Sequence, residues 1–216
     1  MQDDPKTLVS TDWLAAHLDD PDLRILDASW YLPAMERDGK AEYDAAHIPG
    51  ARFFDIDEIS DARSDLPHMA PPVEKFMSRM RAKGIGDGHQ VVVYDSNGIF
   101  SAPRVWWTFR LMGKTDVAVL DGGLPKWLAE GRPTTDEIPS PTPATFTARK
   151  NESLVRNIQQ MLANVDSRAE QMVDARAKER YEGTAPEPRE GSRAGHIPGS
   201  LSLPFGLFLD KARDFV

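Results

Sequence analysis

The chain states one pattern twice. AAHIPGA at residues 45–51 returns as AGHIPGS at 194–200, and LDAS at 26–29 returns as VDAR at 173–176. TLVSTDWLAAHL near the N-terminus is echoed by SLVRNIQQMLANV from Ser153. Leu154 follows Leu8 by 146 residues, Asp174 follows Asp27 by 147, and His196 follows His47 by 149. Matches in the same order at a nearly constant offset mark a duplicated domain. The fold must therefore be one that this chain begins twice.

The first copy alternates strand and helix signals. Ser10 or Thr11 can cap a helix carrying Trp13, Leu14, His17 and Leu18 on one face. Leu23 to Asp27 is a short apolar run, and ARFFDID follows the HIPG turn. The next segment places Val73, Phe76, Met77 and Met80 on one helical face and stops at Gly84. Val91 to Tyr94 is a β-branched run of the kind found in strands covered on both faces. A helix with Val105, Phe109 and Met112 then ends at Gly113, and VAVLDGG and LPKWLAEG give a further strand and helix. This alternation predicts an α/β fold with a central parallel sheet and flanking helices.

Composition shifts after residue 133. Thr134 to Asn151 holds three prolines among small polar residues and shows little periodicity, which reads as a linker. The expected organisation is a first domain over 1–133, a linker over 134–152, and the first part of a second domain over 153–216. Shifting Asp95 by 149 gives a position beyond Val216, so the second domain is expected to be incomplete. It would lack its own central strand, loop and later helices.

Charge and composition exclude several classes. The formal net charge is −8, and no basic block offsets it, which argues against a nucleic-acid partner. The N-terminus lacks a basic start followed by an apolar run, and no apolar stretch reaches spanning length, so no membrane association and a cytoplasmic setting are expected. The chain has no cysteine, which removes disulfides, thiolate metal sites and cysteine nucleophiles. No Walker-type ending follows DGHQVVVYDSNG. Asp55, Asp57 and Asp61 are too poorly supported by other ligands to make a metal site. No cofactor is expected.

The repeat, HIPGARFFDID, YDSNGIFSAPRVWW, LDGGLPKW and RYEGTAPEPREG together resemble the tandem-domain rhodanese family, the 3-mercaptopyruvate and thiosulfate sulfurtransferases. The resemblance covers essentially the whole chain. It implies tandem rhodanese-like α/β domains, the first catalytically silent and the second carrying a cysteine that becomes a persulfide. The family activity moves sulfane sulfur from 3-mercaptopyruvate or thiosulfate to a thiol or cyanide, so the implied partners are a small-molecule sulfur donor and a thiol acceptor. Without the cysteine, this chain as given is expected to show no turnover. The alternative reading is a non-catalytic rhodanese-like binding protein. Oligomeric state is left unassigned.

The resemblance also assigns residues. Asp95, Ser96, Asn97 and Gly98 form the silent counterpart of the cysteine loop. A cysteine there would have its thiolate stabilised by the helix N-terminus and the loop N–H groups. An aspartate is a poor sulfur nucleophile, yet its carboxylate can accept the same hydrogen bonds, so Asp95 reads as an anionic plug. Arg180 and Arg189 match the arginines that hold the substrate carboxylate and keto groups, a task that suits a planar guanidinium fork. Pro186 and Pro188 stiffen the segment before Arg189. Asp57 and His68 match an acidic residue and a histidine that support proton handling with a loop serine. His47 and His196 occur in both copies and are expected to serve folding. Trp106, Trp107 and Trp127 are expected in packing, His17 and His89 on the surface, and Arg176, Lys178 and Arg193 as surface or field contributors.

Overall fold

The valine run at 91–93 has no exposed surface in the computed structural model, and the first unit is built around it. The structure describes residues 2–188 and 191–210. They divide into two units, one reaching Asn151 and one starting at Glu152. In the first, β4 (Gln90–Tyr94) pairs in parallel with β2 (Leu23–Asp27) and with β5 (Val117–Leu120). Strand β1 (Leu8–Val9) flanks β5 and β3 (Arg52–Phe53) flanks β2, giving the order β1-β5-β4-β2-β3, all parallel. Central strands covered on both faces need apolar residues at every position, which is why β4 reads as a continuous run and does not alternate.

Five helices connect and cover these strands: α1 (Thr11–Ala16), α2 (Gly39–Ala45), α3 (Val73–Ala82), α4 (Ala102–Leu111) and α5 (Gly123–Ala129). Of the two candidate caps for α1, Ser10 serves, its Oγ accepting the Trp13 N–H at 3.1 Å. Phe76 and Met80 of α3 are buried, while Val73 and Met77 are half-buried. Trp127 is fully buried; Trp106 and Trp107 are half-buried.

The expected linker is instead a strap on the first unit. Thr135 exchanges two backbone hydrogen bonds with His47, both 2.9 Å, and Asn151 N–H donates to the Leu111 carbonyl at 2.7 Å. Phe146 is fully buried, 5.7 Å from the Phe76 ring and 6.2 Å from that of Phe109. One buried phenyl contributes on the order of 2–3 kcal/mol, enough to order a short proline-rich segment that lacks periodicity. A Cβ at Gly84 would approach the Thr142 carbonyl to 2.8 Å, so the strap also needs the glycine that ends α3.

The second unit contains α6 (Ile158–Ser167), β6 (Val173–Asp174), α7 (Lys178–Glu182) and β7 (Leu201–Ser202), with 3₁₀ turns over Glu152–Leu154 and Phe205–Phe208. Asn157 and Gln160 form a reciprocal capping box at the start of α6. Strands β6 and β7 pair in parallel, Val173 with Leu201 and Asp174 with Ser202. That register repeats the pairing of Leu26 with Arg52 and Asp27 with Phe53. The architecture is thus tandem, a five-stranded parallel sheet followed by a two-stranded one. No helix among the described residues is long and apolar enough to cross a membrane.

The two HIPG histidines do the same work. His47 stacks on Tyr43 at 4.1 Å with Nδ1 2.7 Å from the Tyr43 carbonyl, and the Tyr43 hydroxyl donates to the Ala51 carbonyl at 2.8 Å. His196 stacks on Tyr181 at 3.8 Å with Nδ1 2.8 Å from the Tyr181 carbonyl, and the Tyr181 hydroxyl donates to the Ser200 carbonyl at 2.7 Å. Each histidine fastens a helix to the turn that feeds the next strand.

Candidate functional site

The loop between β4 and α4 is organised by one carboxylate. Asp95 is 1% exposed. Its Oδ1 accepts the Asn97 N–H at 2.9 Å, and its Oδ2 accepts those of Phe100, Ser101 and Ala102 at 2.7, 2.9 and 2.9 Å. Those three donors include the orphan amides at the start of α4, where a negative charge is favoured by the helix dipole. Ser101, the residue before α4, makes no side-chain cap; its Oγ donates to the Ala28 carbonyl at 2.6 Å.

The rest of the loop is equally fixed. Ser96 meets Ser29, Oγ to Oγ at 2.9 Å, and its N–H donates to the Ser29 Oγ at 3.0 Å. Asn97 Oδ1 accepts from Arg37 at 3.2 Å. Gly98 has a φ of +97° and bridges back to Asp95. A Cβ at Gly123 would lie 2.4 Å from the carbonyls of Asp95 and Gly98, so the DGG turn after β5 must be glycine to close over the loop.

Below the loop lies Asp27, 1% exposed, whose Oδ1 accepts the Ser29 N–H at 2.8 Å. Burial raises its pKa from 3.8 to about 6, and the neighbouring Asp95 charge adds to the rise, while hydrogen bonds from Ser29 and Tyr94 oppose it. Sequence reasoning found Asp27 only as a repeat marker; its place at the C-terminal end of a central strand was the available signal.

Asp57 and His68 do come together. His68 Nδ1 lies 3.1 Å from Asp57 Oδ1, and Trp30 Nε1 donates to Asp57 Oδ2 at 3.0 Å. The Trp30 and His68 rings meet edge to face at 4.9 Å. His68 holds a left-handed φ of +56°, a conformation histidine tolerates better than most side chains. Trp30 is the member of this group that the sequence reading missed. A cavity of about 290 Å³ opens beside it, lined by Ser29, Tyr31, Arg37 and Asp57 among others.

In the second unit Arg180 is engaged by Glu187, with Nε and Nη2 3.2 and 2.5 Å from Oε2. Arg176 donates to Glu187 at 2.9 Å, to both Asp174 oxygens, and to the Gly195 carbonyl at 2.7 Å. Arg176 is therefore a hub and not the surface contributor expected. The Arg180 guanidinium, followed by the Arg176 charge, holds Glu187 below its ordinary pKa. Arg189 lies outside the described residues. His89, also expected on the surface, is half-buried, with Nδ1 accepting the Gly86 N–H at 2.8 Å. Among the described residues no group of three or more histidine, aspartate or glutamate side chains could hold a metal ion.

These features define a class: a parallel α/β domain whose central strand ends in an anion-receiving loop, followed by a second start of the same domain. A rhodanese-like domain family model matches residues 10–130. Human 3-mercaptopyruvate sulfurtransferase is 44% identical over 212 residues, covering 95% of this chain and 71% of the human protein. The mitochondrial thiosulfate/3-mercaptopyruvate sulfurtransferase 1 of Arabidopsis thaliana is 46% identical over 94% of this chain, which spans 59% of that relative's length. The crystal structure of the 3-mercaptopyruvate sulfurtransferase SseA from Escherichia coli superposes with a TM-score of 0.87 at 35% identity, covering 97% of this chain and 79% of that one. The chain belongs to the rhodanese-like domain family, as a homologue of the 3-mercaptopyruvate and thiosulfate sulfurtransferases.

Kinship does not carry the mechanism with it. The expected sulfur transfer through a cysteine persulfide is overturned for this chain, because it contains no cysteine. In the first unit the loop seat is filled by a carboxylate that already uses the N–H groups a sulfur anion would need.

Proposed function

We propose that this chain is a non-catalytic rhodanese-like binding protein. The observation that carries the reading is Asp95: a buried carboxylate takes four backbone N–H groups in the loop where the fold would seat a sulfur nucleophile. Its ligand is a small carboxylate-bearing sulfur compound, held in the second unit by Arg180 and Arg189. Support for that ligand class comes from relatives named for 3-mercaptopyruvate and from the fork geometry of arginine, which suits carboxylates. The reading includes a cytoplasmic setting, which fractionation of the native cell would check.

Glu187 now occupies the Arg180 fork, so a ligand carboxylate must displace or share it. Calorimetric titration of the chain with 3-mercaptopyruvate should show saturable binding. Arg180→Gln is expected to weaken it about tenfold or more, the scale of one charge-assisted pair. Glu187→Gln should strengthen it. Thiocyanate formation above background, or no binding by both the wild type and Glu187→Gln, would overturn the reading.

A further inference from the structure

Strand β3 is one of the two outer strands of the five-stranded sheet, and its flank borders a cavity of about 460 Å³ that the loop and the Arg180 cluster do not touch. Four cations line it: Lys40 from α2, Arg52 from β3, and Arg79 and Lys83 from the end of α3. Two are already matched. Lys40 Nζ lies 2.6 Å from Asp44 and Arg79 Nη2 lies 2.7 Å from Glu58.

Arg52 is not, and Lys83 feels the Glu58 and Asp55 charges without a direct ion pair to either. Arg52 is half-buried, its Nε is enclosed without a hydrogen-bond partner, and the charged or ionisable groups acting on it are the Arg24 guanidinium and the Tyr43 hydroxyl. Lys83 is half-buried beside it, and its Nζ donates to the Phe53 carbonyl at 2.6 Å. Burial lowers the pKa of both groups. Asp55 is the carboxylate on this wall, and its Oδ1 receives the Asp57 and Glu58 N–H groups at 3.0 and 2.9 Å.

A chain of net charge −8 thus places two cations together, partly desolvated, without a carboxylate across from Arg52. Unmatched charge in such surroundings is costly, and the Coulomb attraction of an anion in the cavity offsets that cost and the mutual repulsion. The remaining wall is apolar, with Tyr43, Phe53, Ile138, Pro139 and Pro141. We propose that this cavity binds a small organic anion, a carboxylate on a compact apolar body, with its charge toward Arg52 and Lys83 and its body against Phe53 and Pro139. The apolar walls select a monoanion, since a phosphate dianion is costlier to desolvate. A volume of this size matches small-molecule sites in general. The site is independent of the binding function proposed for Arg180.

The test is a titration of the whole chain with sodium benzoate, followed by amide NMR and calorimetry at fixed ionic strength. Benzyl alcohol and inorganic phosphate serve as the neutral and dianionic controls. Benzoate should bind saturably with a Kd at or below about 1 mM, with shifts centred on residues 52–53, 83 and 138–142. Arg52→Gln should weaken it about tenfold or more, and benzyl alcohol should not saturate. Should Arg52→Gln not fold, Lys83→Gln carries the same expectation for benzoate. Absence of saturable shifts, or unchanged benzoate affinity in the variant tested, overturns the site. Phosphate binding as tightly as benzoate overturns the monocarboxylate assignment.

Discussion

The two starts of this fold share their local chemistry and differ in what covers it. Asp27 and Asp174 occupy matching strand ends, and each accepts the N–H two residues on, from Ser29 and Arg176. Yet Asp27 is raised to about 6 by burial, while Asp174 is lowered, first by the hydrogen-bonded Arg176 guanidinium. In the first unit β4 pairs alongside the motif, and Ser101, just before α4, donates to the Ala28 carbonyl. In the second, Ile158 and Leu162 of α6 are 64% and 61% exposed, and Leu207 is 69% exposed. No apolar side chain beyond Phe146 is buried among the described residues. Hydrogen bonds and register therefore travel with the motif, whereas burial depends on neighbours.

The largest expected break of this contrast is Asp95→Ala. It strands several buried N–H groups at the start of α4 and should destabilise the first unit by about 2–4 kcal/mol. Urea unfolding followed by tryptophan fluorescence would read this; a loss below about 1 kcal/mol would mean that water replaces the carboxylate at little cost.

Next come the paired aspartates. A raised folded-state pKa means that the stabilising contribution of Asp27 is complete below pH 3.8 and lost as pH rises through about 6. Asp27→Asn should accordingly stabilise the first unit at pH 7 by on the order of 2–3 kcal/mol, with the gain gone near pH 4. Asp174 has the opposite sign: its contribution is present above the unfolded carboxylate pKa and fades as pH falls below it. Asp174→Asn should therefore weaken the second unit at neutral pH. Unfolding curves of both variants between pH 4 and pH 7 check the pair, and a shared sign would dissolve the comparison.

The smallest effect comes from the matched histidines. His47→Ala removes a fully buried ring and should cost about 2 kcal/mol, whereas His196→Ala, in an exposed stack, should cost under about 1. Hydrogen exchange at the strands following each HIPG turn separates the two, and equal costs would show that the stack carries the energy without help from burial.

Much of this was legible beforehand because it is local or periodic. The duplicated motif, the valine run of β4, the faces of α3 and α4 and the aspartate in the loop are all written in short spans of chain. The strap was not legible, since residues 134–151 show prolines and polar residues but not the Phe76 and Phe109 rings that receive Phe146. Arg176 looked like a surface charge because its partners, Glu187 and Gly195, lie 11 and 19 residues away and meet it only when β6 and α7 form.

By itself, the sequence determined the parallel α/β class, the repeat, the cysteine-free chemistry and the identity of the group in the loop seat, because side-chain type and spacing fix these. Only the tertiary structure decided how many donors Asp95 gathers, that Asp57 and His68 meet beside Trp30, that Arg180 is engaged by Glu187, and that Arg52 faces a cavity without a counterion. Those facts depend on which distant segments share a low-dielectric neighbourhood, and such neighbourhoods exist only once the sheet and helices have closed around them.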